Sequence, residues 1–135
     1  MIKRKFKNIL VVVGGNSGER QISLASGKAC TKALKKKKYN VSIFDPKFKN
    51  LNLINKLKTD VIFNALHGKG GEDGIAQSYF EYLKIPYTHS GVVSSYNAMN
   101  KIISKDLFTK SKILTPKYFS LTKKEHHNCL LYTSP

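Results

Sequence analysis

The sequence predicts an α/β fold in which parallel strands form a sheet covered by helices on both faces. Short apolar, β-branched runs alternate with segments of helical spacing, and short loops between them are typical of β–α–β units. The 41% hydrophobic content over 135 residues is enough for one buried core and excludes a wholly disordered chain. No apolar run reaches the roughly 18 residues of a membrane-spanning helix, so we expect no membrane partner.

The first half of the chain predicts two strands and two helices. Asn8–Val13 is an apolar run that ends at a glycine pair, as a buried parallel strand does. The next helix is predicted to run to about Lys37. It carries apolar residues at helical spacing, namely Ile22, Ala25, Ala29 and Ala33. A second strand is expected at Asn40–Phe44, and a short helix from Leu51 to Leu57.

The second half continues the alternation. Three further strands are predicted, at Asp60–Leu66, Pro86–Thr88 and Tyr118–Leu121. Between the first two, an apolar stripe from Ile75 to Leu83 predicts a helix that ends before the proline. Apolar spacing from Val92 to Leu107 predicts one helix or two abutting helices.

The net charge of +16 comes from 24 basic and 8 acidic residues, and all but two of the basic residues are lysine. Arginine binds phosphate and guanine better than lysine does, because its planar guanidinium group can donate two hydrogen bonds at once. The sequence also has no stripe of basic residues interleaved with aromatic residues. The charge therefore indicates a solvated surface, and we expect no nucleic-acid partner. A basic nucleic-acid-binding module stays as the alternative from a different functional class.

Cysteine usage and the N-terminal segment indicate a cytoplasmic protein. Cys30 and Cys129 lie far apart and show no metal-ligand spacing, so reduced thiols are expected. The basic residues before the first strand are followed by only a short apolar run, which is not the pattern of a signal peptide.

Two glycine-rich loops follow predicted strands and should share the carboxyl edge of the sheet. The first loop, Gly14–Arg20, is neither a dinucleotide fingerprint nor a Walker A motif. Ser17 is a candidate helix cap, and Glu19 places a carboxylate beside the helix N-terminus, where negative charge is favoured. Such a carboxylate suits a substrate ammonium group. The equally weighted alternative is an acid that only stabilises the helix, by about 0.3–1 kcal/mol.

The second loop, His67–Gly74, has four glycines in eight residues, which predicts a tight backbone geometry. We expect Glu72 to stabilise the loop by bonding backbone amides or His67, and Asp73 to cap the next helix. A metal site is the competing hypothesis. Adjacent Glu72 and Asp73 should point apart, so that together with one histidine they would coordinate a metal ion poorly. No metal site is therefore predicted.

Together these segments resemble the N-terminal region of the D-alanine–D-alanine ligase family, over roughly Lys7 to Leu121. The resemblance rests on four segments in the family's order: GGNSGERQISLASG (Gly14–Gly27), NALHGKGGEDG (Asn64–Gly74), IPYTHSGV (Ile85–Val92) and NAMNKIISK (Asn97–Lys105). It implies a Rossmann-like, pre-ATP-grasp parallel sheet with helices on both faces over residues 1–100. Residues 101–135 would be the truncated start of an ATP-grasp domain.

The resemblance also implies an activity and site residues. Members use ATP and Mg²⁺ to join two D-alanines through an acyl phosphate, for peptidoglycan synthesis. By position, Glu19 matches the acid that holds the first D-alanine's ammonium group, and His67 matches the histidine beside its carboxyl end. Glu72 matches the supporting loop acid, and Lys101 a lysine that reaches the nucleotide. Asn100 stands where members usually carry Asp.

The remaining parts of the family's ATP and Mg²⁺ sites lie further downstream, so the fragment alone is expected to be inactive. The resemblance also implies that the full-length enzyme is a homodimer. The alternatives are another ATP-grasp ligase with a different second substrate, and a freestanding flavodoxin-like interaction domain. His126, His127 and Cys129 are a weak metal pattern. The closing CLLYTSP resembles translated sequencing-adapter sequence, and we expect those residues to be artefactual.

Overall fold

The computed structural model describes residues 6–120, and it divides into one unit that ends at Met99 and a second that begins at Asn100. The first unit is built on three parallel strands in the order β2-β1-β3. They are β1 (Asn8–Val12), β2 (Asn40–Phe44) and β3 (Val61–Asn64). These strands confirm the predicted parallel α/β sheet, and β3 is shorter than predicted.

The central strand β1 is apolar and buried from Ile9 onward because helices cover both of its faces. Leu10 and Val12 belong to one buried cluster, which includes Phe80, and Val11 and Val13 belong to the other. Successive side chains of a strand point to opposite faces, so this alternation shows that the core lies on both sides of the sheet.

Helix α1 (Arg20–Lys36) ends within one residue of the predicted position, but the predicted apolar face is wrong. The predicted residues Ile22, Ala25, Ala29 and Ala33 are exposed. The buried residues are Ser23, Gly27 and Thr31. The helix lies so close to the sheet that a Cβ on Gly27 would come within 2.1 Å of Val13 Cγ1. Small residues therefore line the closest contact with the sheet, while Leu24 and Leu34 of the same helix pack beside it against the core.

The other face is covered by a 3₁₀ helix (Leu51–Lys56) and by α2 (Ile75–Tyr82), as predicted. The predicted strand at Pro86–Thr88 is reduced to one bridge, between Ile62 and Tyr87. Its ladder ends early because the hydroxyl of Thr88, rather than a backbone carbonyl, accepts the N–H of Asn64 at 3.0 Å.

Two separate helices follow along the chain, α3 (Val92–Met99) in the first unit and α4 (Lys101–Lys110) in the second. The strand predicted at Tyr118–Leu121 is wrong for residues 118–120, which form no strand and pair with no other strand in residues 6–120. Leu121, the histidine–cysteine pattern and the suspected artefactual end lie outside the described residues. Within residues 6–120, no helix is long and apolar enough to cross a membrane.

Candidate functional site

The two glycine-rich loops meet at the carboxyl edge of the sheet because β1 and β3 are neighbouring parallel strands. The hydroxyl of Ser17 in the first loop donates to the carbonyl of His67 in the second at 2.6 Å. It also accepts the N–H of Glu19 at 3.2 Å. Ser17 therefore joins the loops, whereas the predicted helix-cap position is occupied by Glu19.

Buried Ser23 holds the same junction from the side of α1. Its hydroxyl accepts the N–H of Gly14 at 2.7 Å and donates to the carbonyl of Ala65 at 2.6 Å. The side chain is fully buried, so both bonds are shielded from water. Ser23 fixes the start of each loop relative to the other, a role that the sequence pattern did not reveal.

Glu19 is the N-cap residue of α1, but its carboxylate caps no amide of the helix. Within residues 6–120, its side chain makes no hydrogen bond or ion pair. It lies against the second loop at Gly68, where a Cβ would come within 2.8 Å of Glu19 Oε1 and φ is +70°. Glycine at this position permits both the backbone conformation and the close approach. The carboxylate thus lies near the second loop with its acceptor capacity unused.

His67 is half-buried between an acid and a hydroxyl group. Its Nδ1 lies 3.5 Å from Glu72 Oε1, and its Nε2 lies 3.1 Å from Ser26 Oγ. Ser26 Oγ also donates to the carbonyl of Ser23 at 3.2 Å. Ser26 was not identified from the sequence as a residue of the site. Its position one helical turn after Ser23, on the same side of α1, could have indicated this contact.

The second loop is held by its own acids. Glu72 Oε2 accepts the N–H of Gly68 at 2.7 Å, which confirms the predicted contact with a backbone amide. Asp73 accepts from Gly70 N at 2.8 Å and from Ile75 N at 3.2 Å. Asp73 therefore satisfies the first amide of α2 as predicted, although the N-cap position itself belongs to Gly74.

An ion pair between Arg20 and Asp45 stabilises the first loop. It was not predicted from the sequence. Arg20 Nη2 lies 2.7 Å from Asp45 Oδ2, and Nη1 donates to Asp45 Oδ1 at 3.1 Å. Burial raises the pKa of Asp45, but hydrogen bonds from Arg20 and from the amides of Lys47 and Gly15 outweigh it and hold the pKa below its usual value. The signal available in the sequence was an arginine at the loop end in a chain that uses lysine almost everywhere else.

The loops line an open cleft of about 520 Å³, a volume suited to a small ligand. Its lining includes Glu19, Gly68 and Lys69, whereas His67 lines a smaller cavity of about 190 Å³ between the same loops. The structure also brings Glu19, His67 and Glu72 together, with one donor atom of each within 4.8 Å of the others. The metal site considered from the sequence consisted of His67, Glu72 and Asp73. In the structure the third residue of the cluster is Glu19 and not Asp73.

Lys101 belongs to the second unit and is the exposed first residue of α4. Asn100 caps this helix, since its side-chain oxygen accepts from Ile102 N at 3.1 Å and from Ile103 N at 3.2 Å. Asn and Asp are about equally good at this position. The departure from the family's usual Asp therefore preserves the local helix start.

Comparison with known proteins agrees with this geometry. Residues 45–90 match the family model described as the D-ala D-ala ligase N-terminus. A D-alanine–D-alanine ligase of Pelagibacter ubique is 54% identical over 121 residues, which are 89% of this chain and 40% of that protein. One of Parvibaculum lavamentivorans is 49% identical over 76% of this chain and 33% of its own length. The chain spans about 40% of the length of the curated relatives it matches most strongly.

Solved structures show the same relation. The D-alanine–D-alanine ligase of Bacillus anthracis in complex with ATP matches with a TM-score of 0.77 and 38% identity, over 93% of this chain and 42% of that one. The VanG D-Ala:D-Ser ligase of Enterococcus faecalis matches with a TM-score of 0.73 and 25% identity, over 91% and 47%. Over the residues matched, this chain is similar to the N-terminal region of D-alanine–D-alanine ligases.

Proposed function

We propose that this chain forms the substrate-binding N-terminal region of an ATP-dependent D-alanine–D-alanine ligase that serves peptidoglycan synthesis. In that reaction ATP phosphorylates the carboxylate of one D-alanine, and the amine of a second displaces phosphate to form the dipeptide. The observation that supports the proposal best is the carboxylate of Glu19, which lines the cleft with no partner in residues 6–120.

Glu19 is proposed to hold the ammonium group of the first D-alanine. An ammonium donates three hydrogen bonds, and a carboxylate accepts them with the added strength of opposite charge. Because the side chain of Glu19 makes no competing bond in residues 6–120, binding breaks no existing interaction. The lack of a side chain on Gly68 leaves room for this carboxylate at the junction of the loops.

His67 is proposed to lie beside the carboxyl end of the same substrate, and Glu72 to position it. Glu72 holds the amide of Gly68 and faces the imidazole ring. Ser26 restrains the ring from the other side. A ring held on both sides keeps its orientation, which is how positioned groups lower the entropic part of a reaction barrier.

ATP is proposed as the phosphoryl donor, in line with the relative from Bacillus anthracis that was solved with ATP. Lys101 is the candidate for nucleotide contact because it matches the family's lysine by position, and it is exposed at the start of α4. Mg²⁺ would neutralise charge on the phosphates. The donor cluster in the described residues includes an imidazole nitrogen, which Mg²⁺ does not favour, so we assign no Mg²⁺ ligand here. We extend the proposal to a cytoplasmic homodimer for the complete enzyme.

The VanG match favours a second candidate, a ligase of the same fold that accepts D-serine as the second substrate. The complete enzyme encoded by the gene, supplied with both amino acids and ATP, distinguishes the two. D-Alanyl-D-alanine as the main product supports the first candidate, and D-alanyl-D-serine supports the second.

The main proposal is tested with a chimera in which residues 1–121 replace the matching segment of the ligase from Pelagibacter ubique. We expect the chimera to form the dipeptide from D-alanine and ATP, and the 135-residue chain alone to form none. The unmodified ligase is the positive control. A folded chimera with no dipeptide formation would contradict the proposal, as would dipeptide formation by the 135-residue chain.

A further inference from the structure

We propose that Glu19, His67 and Glu72 form a binding site for Zn²⁺ at the meeting point of the two loops. Each residue offers one donor atom, and the three atoms lie within 4.8 Å of one another. Zinc binds imidazole nitrogen and carboxylate oxygen, and three protein ligands with one open position is a common zinc arrangement. The site goes beyond the proposed ligase function, which assigns these residues to an amino acid substrate.

The first argument is the separation of His67 Nδ1 and Glu72 Oε1. At 3.5 Å, the two atoms are further apart than the 2.7–3.2 Å or so of a normal N–H···O hydrogen bond. Two ligands of a tetrahedral zinc ion, each about 2.1 Å from the metal, lie about 3.4 Å apart. These two atoms therefore already have the spacing of a pair of zinc ligands.

The second argument is the hydrogen bonding of the opposite ring nitrogen. The hydroxyl of Ser26 donates to the carbonyl of Ser23, so its oxygen accepts a hydrogen bond from His67 Nε2, 3.1 Å away, in the tautomer that carries the proton on that nitrogen. A histidine that donates through one nitrogen presents a lone pair on the other. That lone pair faces the carboxylate of Glu72, and a cation between them removes the repulsion. Metal-binding histidines commonly donate their second N–H to an oxygen in this way.

The third argument is the freedom of Glu19. Its side chain is exposed and makes no hydrogen bond or ion pair with residues 6–120. Ligands of one zinc ion lie about 3–4 Å apart, so the 4.8 Å limit of this cluster requires a shift of about 1 Å. A rotation of the Glu19 side chain supplies that shift without breaking a bond in the described part of the chain.

The environment limits the strength of the site. Lys69 also lines the cleft, and both α1 and α2 begin near the loops, so nearby positive charge opposes a cation. We therefore expect micromolar rather than nanomolar affinity, and selectivity over Mg²⁺ because of the imidazole ligand. If Glu19 also holds the substrate ammonium, as proposed above, then Zn²⁺ competes with the amino acid.

The test is Zn²⁺ binding to the 135-residue chain, measured by competition with a chromophoric chelator and by calorimetry. His126, His127 and Cys129 are replaced by Gln, Gln and Ser so that these donors do not contribute. We expect one Zn²⁺ to bind in the micromolar range, a thermal midpoint that rises with Zn²⁺, and no competition from millimolar Mg²⁺.

Matched variants locate the site. Glu19→Gln and His67→Gln should each weaken binding at least tenfold, whereas Glu81→Gln and His89→Gln, which lie outside the cluster, should leave it unchanged. Glu19→Gln breaks no side-chain bond among residues 6–120, so its circular dichroism spectrum and zinc-free thermal midpoint should match the parent. Absence of Zn²⁺ binding by the parent, or binding by Glu19→Gln and His67→Gln that is as tight as in the parent, overturns the proposal. Zinc binding by a chain whose chimera makes no dipeptide would contradict the ligase function alone.

Discussion

The close contact between α1 and the sheet predicts a strong effect of Gly27→Ala on stability. A Cβ at this position would lie 2.1 Å from Val13 Cγ1, far inside the usual 3.5–4.0 Å carbon contact. Overpacking of a core costs about 1–3 kcal/mol, and this contact justifies the upper end. The gain in helix propensity from Gly to Ala offsets about 1 kcal/mol. We expect Gly27→Ala to lower the free energy of unfolding by about 2 kcal/mol.

The same geometry predicts that Val13→Ala removes the penalty. Alone, Val13→Ala loses two buried methyl groups, at about 0.8 kcal/mol each. In its background the clashing Cγ1 is gone, so Gly27→Ala should be neutral or stabilising by up to about 1 kcal/mol. The two substitutions should therefore be coupled by about 2–3 kcal/mol, near the top of the range for residues in contact.

The assay is urea unfolding followed by circular dichroism for the two single variants and the double variant. Gly18→Ala is the matched control, since nothing lies within 4 Å of a Cβ there; its effect should stay within about 0.5 kcal/mol. A Gly27→Ala midpoint equal to that of the parent would refute the reasoning. So would a cost of Gly27→Ala that is unchanged in the Val13→Ala background.

Two further predictions concern titration. Because the pKa of Asp45 is lowered in the folded protein, its ionisation stabilises the fold above its unfolded pKa of about 3.9. This contribution is lost as the pH falls through the folded pKa. The free energy of unfolding of Asp45→Asn should therefore fall less steeply with acid than that of the parent, and an unchanged acid profile would contradict this. Burial, with a hydrogen bond from its hydroxyl to Glu81, raises the pKa of Tyr87 to about 12, so this tyrosine stabilises the fold below pH 10 or so and loses that contribution as the pH rises toward 12. The pKa of Tyr118 is also raised, by its hydrogen bond to Asp106, so the ultraviolet titration is compared between the parent and Glu81→Gln. We expect part of the late tyrosine ionisation to move to lower pH in Glu81→Gln, and an unchanged late titration would contradict the assignment to Tyr87.

The order and type of most elements were predictable from local pattern. β2 was placed correctly residue by residue, and the two loops were placed on one edge because parallel strands place their carboxyl ends together. The buried face of α1 was not predictable from hydrophobicity. Close helix–sheet packing selects small residues such as Gly27, and only the distance between the elements reveals that requirement.

The site was predictable in its residue types but not in its connections. Glu19, His67 and Glu72 were singled out from their places after strands and at helix starts. Their mutual contact, and the roles of Ser26 and Arg20, depend on distances across the sheet edge. Serine and arginine are common in ordinary loops and helices, so their identity alone carries little information about such contacts.

The central claim, that this sheet edge receives the amino group of the first D-alanine, is tested most directly by steady-state kinetics of Glu19→Gln in the chimera. Loss of one charge-assisted bond is worth about 1.5–3 kcal/mol, so the concentration of the first D-alanine needed for half-saturation should rise about 10- to 100-fold. Glu81→Gln is the control and should leave that concentration unchanged. Unchanged half-saturation in an active Glu19→Gln chimera would contradict the account.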